Sequence, residues 1–433
     1  ECGKRRYSYN HNSYTIEDEN HKSWKRIYNS NFELEKEINP LGKERKFFYD
    51  ENGNLKREIS FGGKNIFYDY DSGENTLLIS DDSGAKSLIQ KNELGNIKRL
   101  ENPFTALSYK YNSGGVIEEQ RDLKADFKLL YSYDTFGRLI KKESELFSFI
   151  YQYDNQGNIK EIREELSASW VKITRDKYGR EGLLEYSNGI KIQKNYSSSG
   201  LINYILVKDK INQLLWADYL LYDNNNRVKV RCNHLGELKK YFYDQQGRFI
   251  SCLENYSQPL YDSALTELKF CGGFESTDLP PEDTLTLSDA EYSALQSLVK
   301  ASGQKLFIPQ FQPSWKREFS YTSTGSVREE KNPLGTIVYE YDALNRLLQK
   351  HSSKTKSKGI FYKWSDDNYL EEEACDYYKK TYKYKNNSRP EEILFENYED
   401  GSLEKIEYEY DALGRRYKET INGENQFIYL YEG

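Results

Sequence analysis

Tyr131-Ser132-Tyr133-Asp134-Thr135-Phe136-Gly137-Arg138-Leu139 is the stretch that decides the fold, because nearly the same words return along the chain. They recur at Tyr151, Tyr153, Asp154 and Gly157, at Tyr241, Tyr243, Asp244 and Gly247, and at Tyr408, Tyr410, Asp411 and Gly414. A tandem repeat, rather than a catalytic motif, is the content of this sequence.

With the second aromatic as anchor, copies stand at Tyr9, Tyr28, Tyr49, Tyr70, Lys91, Tyr111, Tyr133, Tyr153, Arg175, Tyr196, Tyr222 and Tyr243. After an interruption they resume at Tyr321, Tyr341, Trp364, Tyr384, Tyr410 and Tyr431. Of the seventeen spacings, fourteen lie between 19 and 23 residues, so the period is about 21. A fixed period of this length marks a repeat architecture.

Each copy reads as strand, tight turn, strand. The position two before the anchor is aromatic or aliphatic in sixteen of eighteen copies, Arg26 and Lys194 excepted. Side chains at i and i+2 share one face of a strand. Asp or Asn usually follows the anchor, which suits the first place of a type I turn because the side chain caps backbone N–H groups two residues on. Three residues later stands Gly, or Asn at Asn226, Asn345 and Asn368, residues that accept positive φ. An apolar residue then opens the return strand, as at Leu55, Ile97, Leu139, Ile159, Val228, Phe249, Val327 and Leu347. Between copies a second turn recurs, as Asn39-Pro40-Leu41-Gly42, Asn233-His234-Leu235-Gly236 and Asn332-Pro333-Leu334-Gly335.

Adjacent units look alike with no alternation at 42 residues, which argues against the four-stranded blades of a propeller. A sheet of this many strands does not stay flat, since open sheets much beyond about ten strands curl or split. The expected fold is therefore all-β: tandem hairpin repeats in a spiralling, curved sheet or part of a hollow shell.

The interruption divides the chain into residues 1–254 and 317–433, first and second parts of one spiral, around an insertion at 255–316. Five of the nine prolines fall in it. Ser288-Asp-Ala-Glu291 is a capping box, Ala290, Ala294, Leu295, Leu298 and Val299 form an apolar stripe, and Gly303 supplies a stop. One amphipathic helix is expected there, as a plug or lid against the sheet or, alternatively, as a partner-binding helix.

The mean hydropathy of −0.89 and 30% charged residues alone would suggest disorder. Thirty-nine Tyr and twenty Phe reverse that reading, because aromatic rings bury well and favour strands. A net charge of −7 without a basic block gives no sign of nucleic acid binding. No apolar run approaches the roughly 18 residues of a membrane helix. Without any Met the chain reads as an internal fragment, its targeting signals elsewhere.

The residues that could carry chemistry are scattered. His11, His21, His234 and His351 have no zinc-like spacing, so no metal and no cofactor is expected. The five Cys (Cys2, Cys232, Cys252, Cys271 and Cys375) form no C-x-x-C pair and are expected as free buried thiols. No nucleophile and base are placed together, and the Asp residues after the anchors recur too regularly to be catalytic. The expectation is no enzyme and no catalytic residue. The sequons at Asn195, Asn255 and Asn386 are weak signals in an Asn-rich chain.

The Tyr-x-Tyr-Asp-x-x-Gly-Arg-Leu copies with Asn-Pro-Leu-Gly turns between them resemble the YD repeats of the Rhs family. That family includes bacterial polymorphic toxins, the B and C components of insecticidal toxin complexes, and the teneurins. The resemblance covers all but the interruption. It implies a strand spiral closing into a hollow shell, which in bacterial members encloses a C-terminal toxin polypeptide. Toxin members end their shell with a self-cleaving aspartyl protease carrying D-P-x-G elements. This chain shows none, so no protease residue is carried over. The expected function is a non-catalytic shell segment that encapsulates or carries a polypeptide cargo such as a toxin domain of the same protein, secreted or at the cell surface, with a secretion or cell-surface partner. The rival expectation is a cell-surface adhesion or carbohydrate-binding module.

Overall fold

The computed structural model describes residues 5–18, 21–124, 126–255, 258–273, 283–384, 389–411 and 413–429. They form one antiparallel sheet of 36 strands. Each strand pairs with its neighbours in sequence, from Arg6–Asn10 against Ser13–Glu17 to Arg416–Ile421 against Asn425–Ile428. Only the insertion breaks this meander. There Phe249–Asn255 skips to Phe311–Tyr321, with Asn255 opposite Ser314, and the short strand Asp283–Thr286 pairs with the outer end of Phe311–Tyr321.

The hairpin of the opening quotation shows how the repeat builds itself. Phe127–Tyr133 pairs with Leu139–Glu143, and the register slips by one residue between Ser132 and Tyr133. Asp134 N–H bonds to the Arg138 carbonyl and Gly137 N–H to the Asp134 carbonyl. With Gly137 at φ +77°, this is a type I turn closed by a one-residue bulge. The same slip occurs at Tyr49, Tyr153, Tyr222, Tyr243, Tyr321, Tyr341 and Tyr410. Copies vary it. Asn10 pairs with Ser13 around a two-residue loop, and the hairpin after Tyr70 puts its positive φ on Asn75. The turn after Tyr384 and the copy at Tyr431 lie outside the described residues.

The insertion carries two helices where one was expected. α1 (Gln258–Phe270) escaped the sequence reading because Pro259 reads as loop punctuation, although a proline is tolerated in the first helical turn, where its missing N–H has no partner to lose. α2 (Asp289–Ala301) begins on Ser288 with both halves of its capping box formed. Gly303 follows it at φ +72°. Leu295 and Val299 are buried beneath α2, while Ala290 of the expected stripe stays exposed.

The two helices cover opposite faces of the sheet. α2 packs on Tyr204, Leu206, Ala217, Tyr219, Val230 and Cys232. By strand alternation these lie on the face turned away from the anchor Tyr222. α1 instead joins Leu268 and Cys271 to Trp315, Ile337, Ile360 and Tyr378, on the anchor face. The core of the molecule is thus two clusters of buried side chains where the wall is doubled. Cys232, Cys252, Cys271 and Cys375 are all buried free thiols; Cys2 lies outside the described residues.

Candidate functional site

Among the described residues, no group of three or more His, Cys, Asp or Glu could hold a metal ion. His21 pairs with Glu17, and His351 sits buried beside Glu340 with Nδ1 2.9 Å from the Ser352 carbonyl. The candidate site is the wall, in two respects: how neighbouring repeats are tied, and how distant ones meet.

Each letter of the repeat ties one hairpin to the next. The Tyr133 hydroxyl donates to the carbonyl of Ile117, 2.7 Å away on the return strand of the preceding hairpin. The same latch runs from Tyr49 to Leu34, Tyr111 to Ile97, Tyr153 to Leu139, Tyr196 to Glu181, Tyr222 to Ile202, Tyr243 to Val228 and Tyr341 to Val327. At two anchors that are not Tyr another donor takes its place: Trp364 Nε1 reaches the Leu347 carbonyl at 2.7 Å and the Arg175 guanidinium reaches that of Ile159. The anchor is therefore a ring with a donor at its tip, which Phe cannot supply. The apolar residue opening each return strand serves twice, since Leu139 faces Tyr133 while its carbonyl receives Tyr153.

Asp134 caps its turn by accepting from the backbone N–H groups of Phe136 and Arg138 and pairs with the Arg138 guanidinium at 2.6 Å. Burial alone would raise this carboxyl, but the Arg138 backbone and side-chain donors outweigh it and hold it below the ordinary value. Arg138 then lies over the ring of the next anchor, Tyr153, at 4.6 Å. Arg180 over Tyr196, Arg227 over Tyr243 and Arg248 over Tyr321 repeat the arrangement at 4.4–5.0 Å. Such stacking contributes about 0.5–1 kcal/mol each at partly exposed sites. The expectation that these Asp residues serve turns agrees with the geometry. The latch and the Arg stack were not foreseen, although the scarcity of Phe at the anchor position was a legible sign of a polar duty.

The second feature is long-range. The wall has two rims: a tip rim of turns that follow the anchors, and a junction rim of turns between copies. Near its end the chain returns to its beginning and seats its tip rim on the junction rim of the first hairpins. Lys43 Nζ pairs with Asp366 at 2.8 Å across 323 residues. Asp367 accepts from Ser60 Oγ and Gly62 N–H, both at 2.9 Å. Lys22 Nζ reaches the Asp342 carbonyl, and Asn102 Nδ2 that of Tyr410, each at 3.1 Å. The ribbon has completed one coil in these 305–323 residues. The coils meet through side chains, whereas neighbouring strands meet through backbone ladders. Asp367 carried one sign in the sequence: its turn is already capped by Ser365, which leaves this carboxylate without a local duty.

Along this seam lies a cavity of about 910 Å³. Tyr369 and Tyr384 stack on its last-coil side at 5.0 Å. Its first-coil side carries Trp24 and two guanidiniums, Arg26 held by Glu37 and Arg45 held by Glu58, both at 2.7 Å.

No family model matches the chain, and no curated protein matches its sequence. Solved structures match its fold. The crystal structure of TcdB2-TccC3-TEV aligns with a TM-score of 0.53 and 11% identity over 96% of this chain and 26% of that one. TcdB2-TccC3 gives 0.46 at 12% identity, covering 97% of this chain and 21% of the other. The Tc holotoxin pore of Photorhabdus luminescens gives 0.43 at 11% identity, covering 98% and 21%. The chain thus spans about a quarter of the length of the first of these (26%), and its fold matches an Rhs-type repeat shell.

Proposed function

We propose that this chain is a non-catalytic segment of a protein shell that carries a polypeptide cargo, a toxin domain being the class its fold neighbours suggest. The observation that carries the reading is the coil itself. One continuous sheet returns on its own first hairpins after 305–323 residues, and a ribbon that closes on itself in this way encloses space. The repeat latches suit such a role. They recur along much of the wall, so strength is spread as in other repeat proteins rather than concentrated in one place. A secreted or surface-exposed setting and a cargo from the same polypeptide belong to the same proposal.

The test is protease protection on the protein purified from its natural source. A polypeptide that survives digestion inside the folded wall, and is degraded once the wall is unfolded, supports the reading. Cryo-electron microscopy showing separate compact domains in place of a coiled sheet refutes it.

A second reading, binding of carbohydrate at a cell surface, draws on the seam cavity, where stacked tyrosines and fixed guanidinium–carboxylate pairs offer ring faces and hydroxyl partners. Screening on a glycan array, with Tyr369→Ala as the comparison, distinguishes it: binding that disappears in the variant favours this reading, and silence favours the shell.

A further inference from the structure

Beside α1 lies a carboxylate that its surroundings compensate poorly. Glu330, on the strand Val327–Asn332, has only 13% of its side chain exposed. Among the described residues it accepts one hydrogen bond, from the Tyr339 hydroxyl of Gly335–Tyr341 at 3.2 Å. Two cations stand near, and each is engaged by another carboxylate. Arg317, of Phe311–Tyr321, is 3.8 Å from Glu330 but 2.9 Å from Glu254 of Phe249–Asn255, which Lys239 also holds at 2.6 Å. Lys350, of Leu347–Ser352, pairs at 3.4 Å with Glu267, a residue that α1 itself brings to the site. The Cys271 thiol of α1 and the Cys252 thiol beside Arg317 are buried and supply no positive charge.

α1 sets this balance in two ways. Tyr339 packs against the cluster that α1 completes with Leu268 and Cys271, so the helix helps to shut the site from water, and Glu267 adds a second negative charge. Burial first, and then the Glu267 charge, raise the Glu330 carboxyl above its ordinary 4.5, and Arg317, the Tyr339 hydroxyl and Lys350 offset them only in part. An ionised group buried without a close counter-charge disfavours the state that buries it, whereas the protonated carboxyl does not.

We propose that α1 is a pH-dependent clasp on the anchor face: it holds the sheet tightly in acid and loosens as pH rises, with Glu330 as the group that responds. When α1 lifts, Glu330 regains water and loses Glu267 as a neighbour, so its carboxyl returns toward the ordinary 4.5. A carboxyl raised in the docked state contributes stability that is complete below its ordinary value and is lost as pH rises through the raised one. On the opposite face α2 has the reverse sign. Its Glu291, which burial would raise, is held low by Lys229, the Ser288 N–H and Lys240, so α2 loosens in acid. The two helices of the insertion thus answer pH in opposite directions, whether or not the wall carries a cargo.

Hydrogen exchange of the whole chain at about pH 5 and about pH 8, corrected for the intrinsic effect of pH on exchange, tests the clasp through the α1 amides at 264–271. Their protection is expected to fall from the lower pH to the higher. Glu330→Gln keeps the shape of the side chain without its charge, so α1 should stay protected at both values, and an unchanged melting temperature at the lower pH checks the fold. Glu267→Gln, at a half-exposed position, removes the like charge and frees Lys350 for Glu330. It should weaken the pH dependence even if Glu330→Gln fails to fold. Equal protection of wild-type α1 at the two pH values, or loosening in acid, overturns the proposal. So does a pH dependence that survives undiminished in Glu330→Gln or in Glu267→Gln.

Discussion

Replacing Tyr133 by Phe removes one oxygen and leaves the ring, so it isolates the latch from the packing. The Tyr133 hydroxyl sits 2.7 Å from the Ile117 carbonyl, and a hydrogen bond of this kind contributes a net of about 0.5–1.5 kcal/mol. Ile117 is half-buried, so water can partly replace the lost donor, and a value near 1 kcal/mol is expected. That corresponds to about a five-fold rise in local opening. Hydrogen exchange of the amides in Ile117–Asp122 and Phe127–Tyr133 should accelerate by that factor, because a repeat wall opens locally before it opens globally. Tyr70→Phe is the control, since Tyr70 is 47% exposed and no hydrogen bond of its hydroxyl stands among the described residues. Equal exchange in the two variants would refute the latch. A pH arm sharpens the test. Burial raises the Tyr133 hydroxyl above its ordinary 10.0, so the fold favours the protonated, donating form. Its contribution is complete below the ordinary value and is lost as pH rises through the raised one. Tyr109 and Tyr382, pushed to about 12 mainly by burial, extend the alkaline loss of stability to that region.

Gly137→Val should cost about 1–3 kcal/mol from positive-φ strain alone, since no atom lies within 4 Å of its missing Cβ; Ser132→Thr should be nearly neutral, and equal melting temperatures would count against the turn. Gly236→Ala should cost more than Gly137→Ala, because its Cβ would meet the Phe307 carbonyl at 2.6 Å besides the strain at φ +80°; denaturant midpoints compare the two. Asp367→Ala should loosen the seam by about 1–2 kcal/mol, as hydrogen bonds to a half-buried charge allow, and is read as faster exchange at the Gly62 amide. Gly62→Cys with Asp367→Cys should form a disulfide, because a Cβ at Gly62 lies 3.1 Å from Asp367 Cγ, close to the roughly 3 Å span from Cβ to the far sulfur of a disulfide; absence of the cross-link in non-reducing mass spectra would show that the coil does not close. Glu291, which burial would raise, is held at about 2 by Lys229, the Ser288 N–H and Lys240. Its contribution is present above its ordinary 4.5 and is lost as pH falls toward about 2, so acid should undock α2, seen as exchange at Leu295 and Val299, and Glu291→Gln should undock it already at neutral pH.

Much of this molecule was legible in its sequence because its information is local. The Asp-x-x-Gly spacing specifies a type I turn with a positive-φ residue, and Asp134 and Gly137 adopt it. Ser288 and Glu291 specify a helix start, and both halves of the box are made. α1 was missed because Pro259 signals a loop and a helix first turn equally well. The tyrosines were read as packed rings; the hydroxyl partners of Tyr153 and Tyr222 lie 14 and 20 residues back, and that of Tyr321 lies 72 residues back, each on a neighbouring strand whose position only pairing fixes.

What the sequence alone determined is the unit: a 21-residue hairpin, its type I turn, and the fact that eighteen copies of it cannot lie flat. What only the tertiary structure decided is the closure. Twist and bulge add a small rotation at each hairpin, and no single residue encodes the sum. The place where the sum returns on itself brings Asp367 to Ser60 and Gly62. Local rules fix each step of the spiral, and only their accumulation over more than three hundred residues (305–323) sets where the wall meets itself.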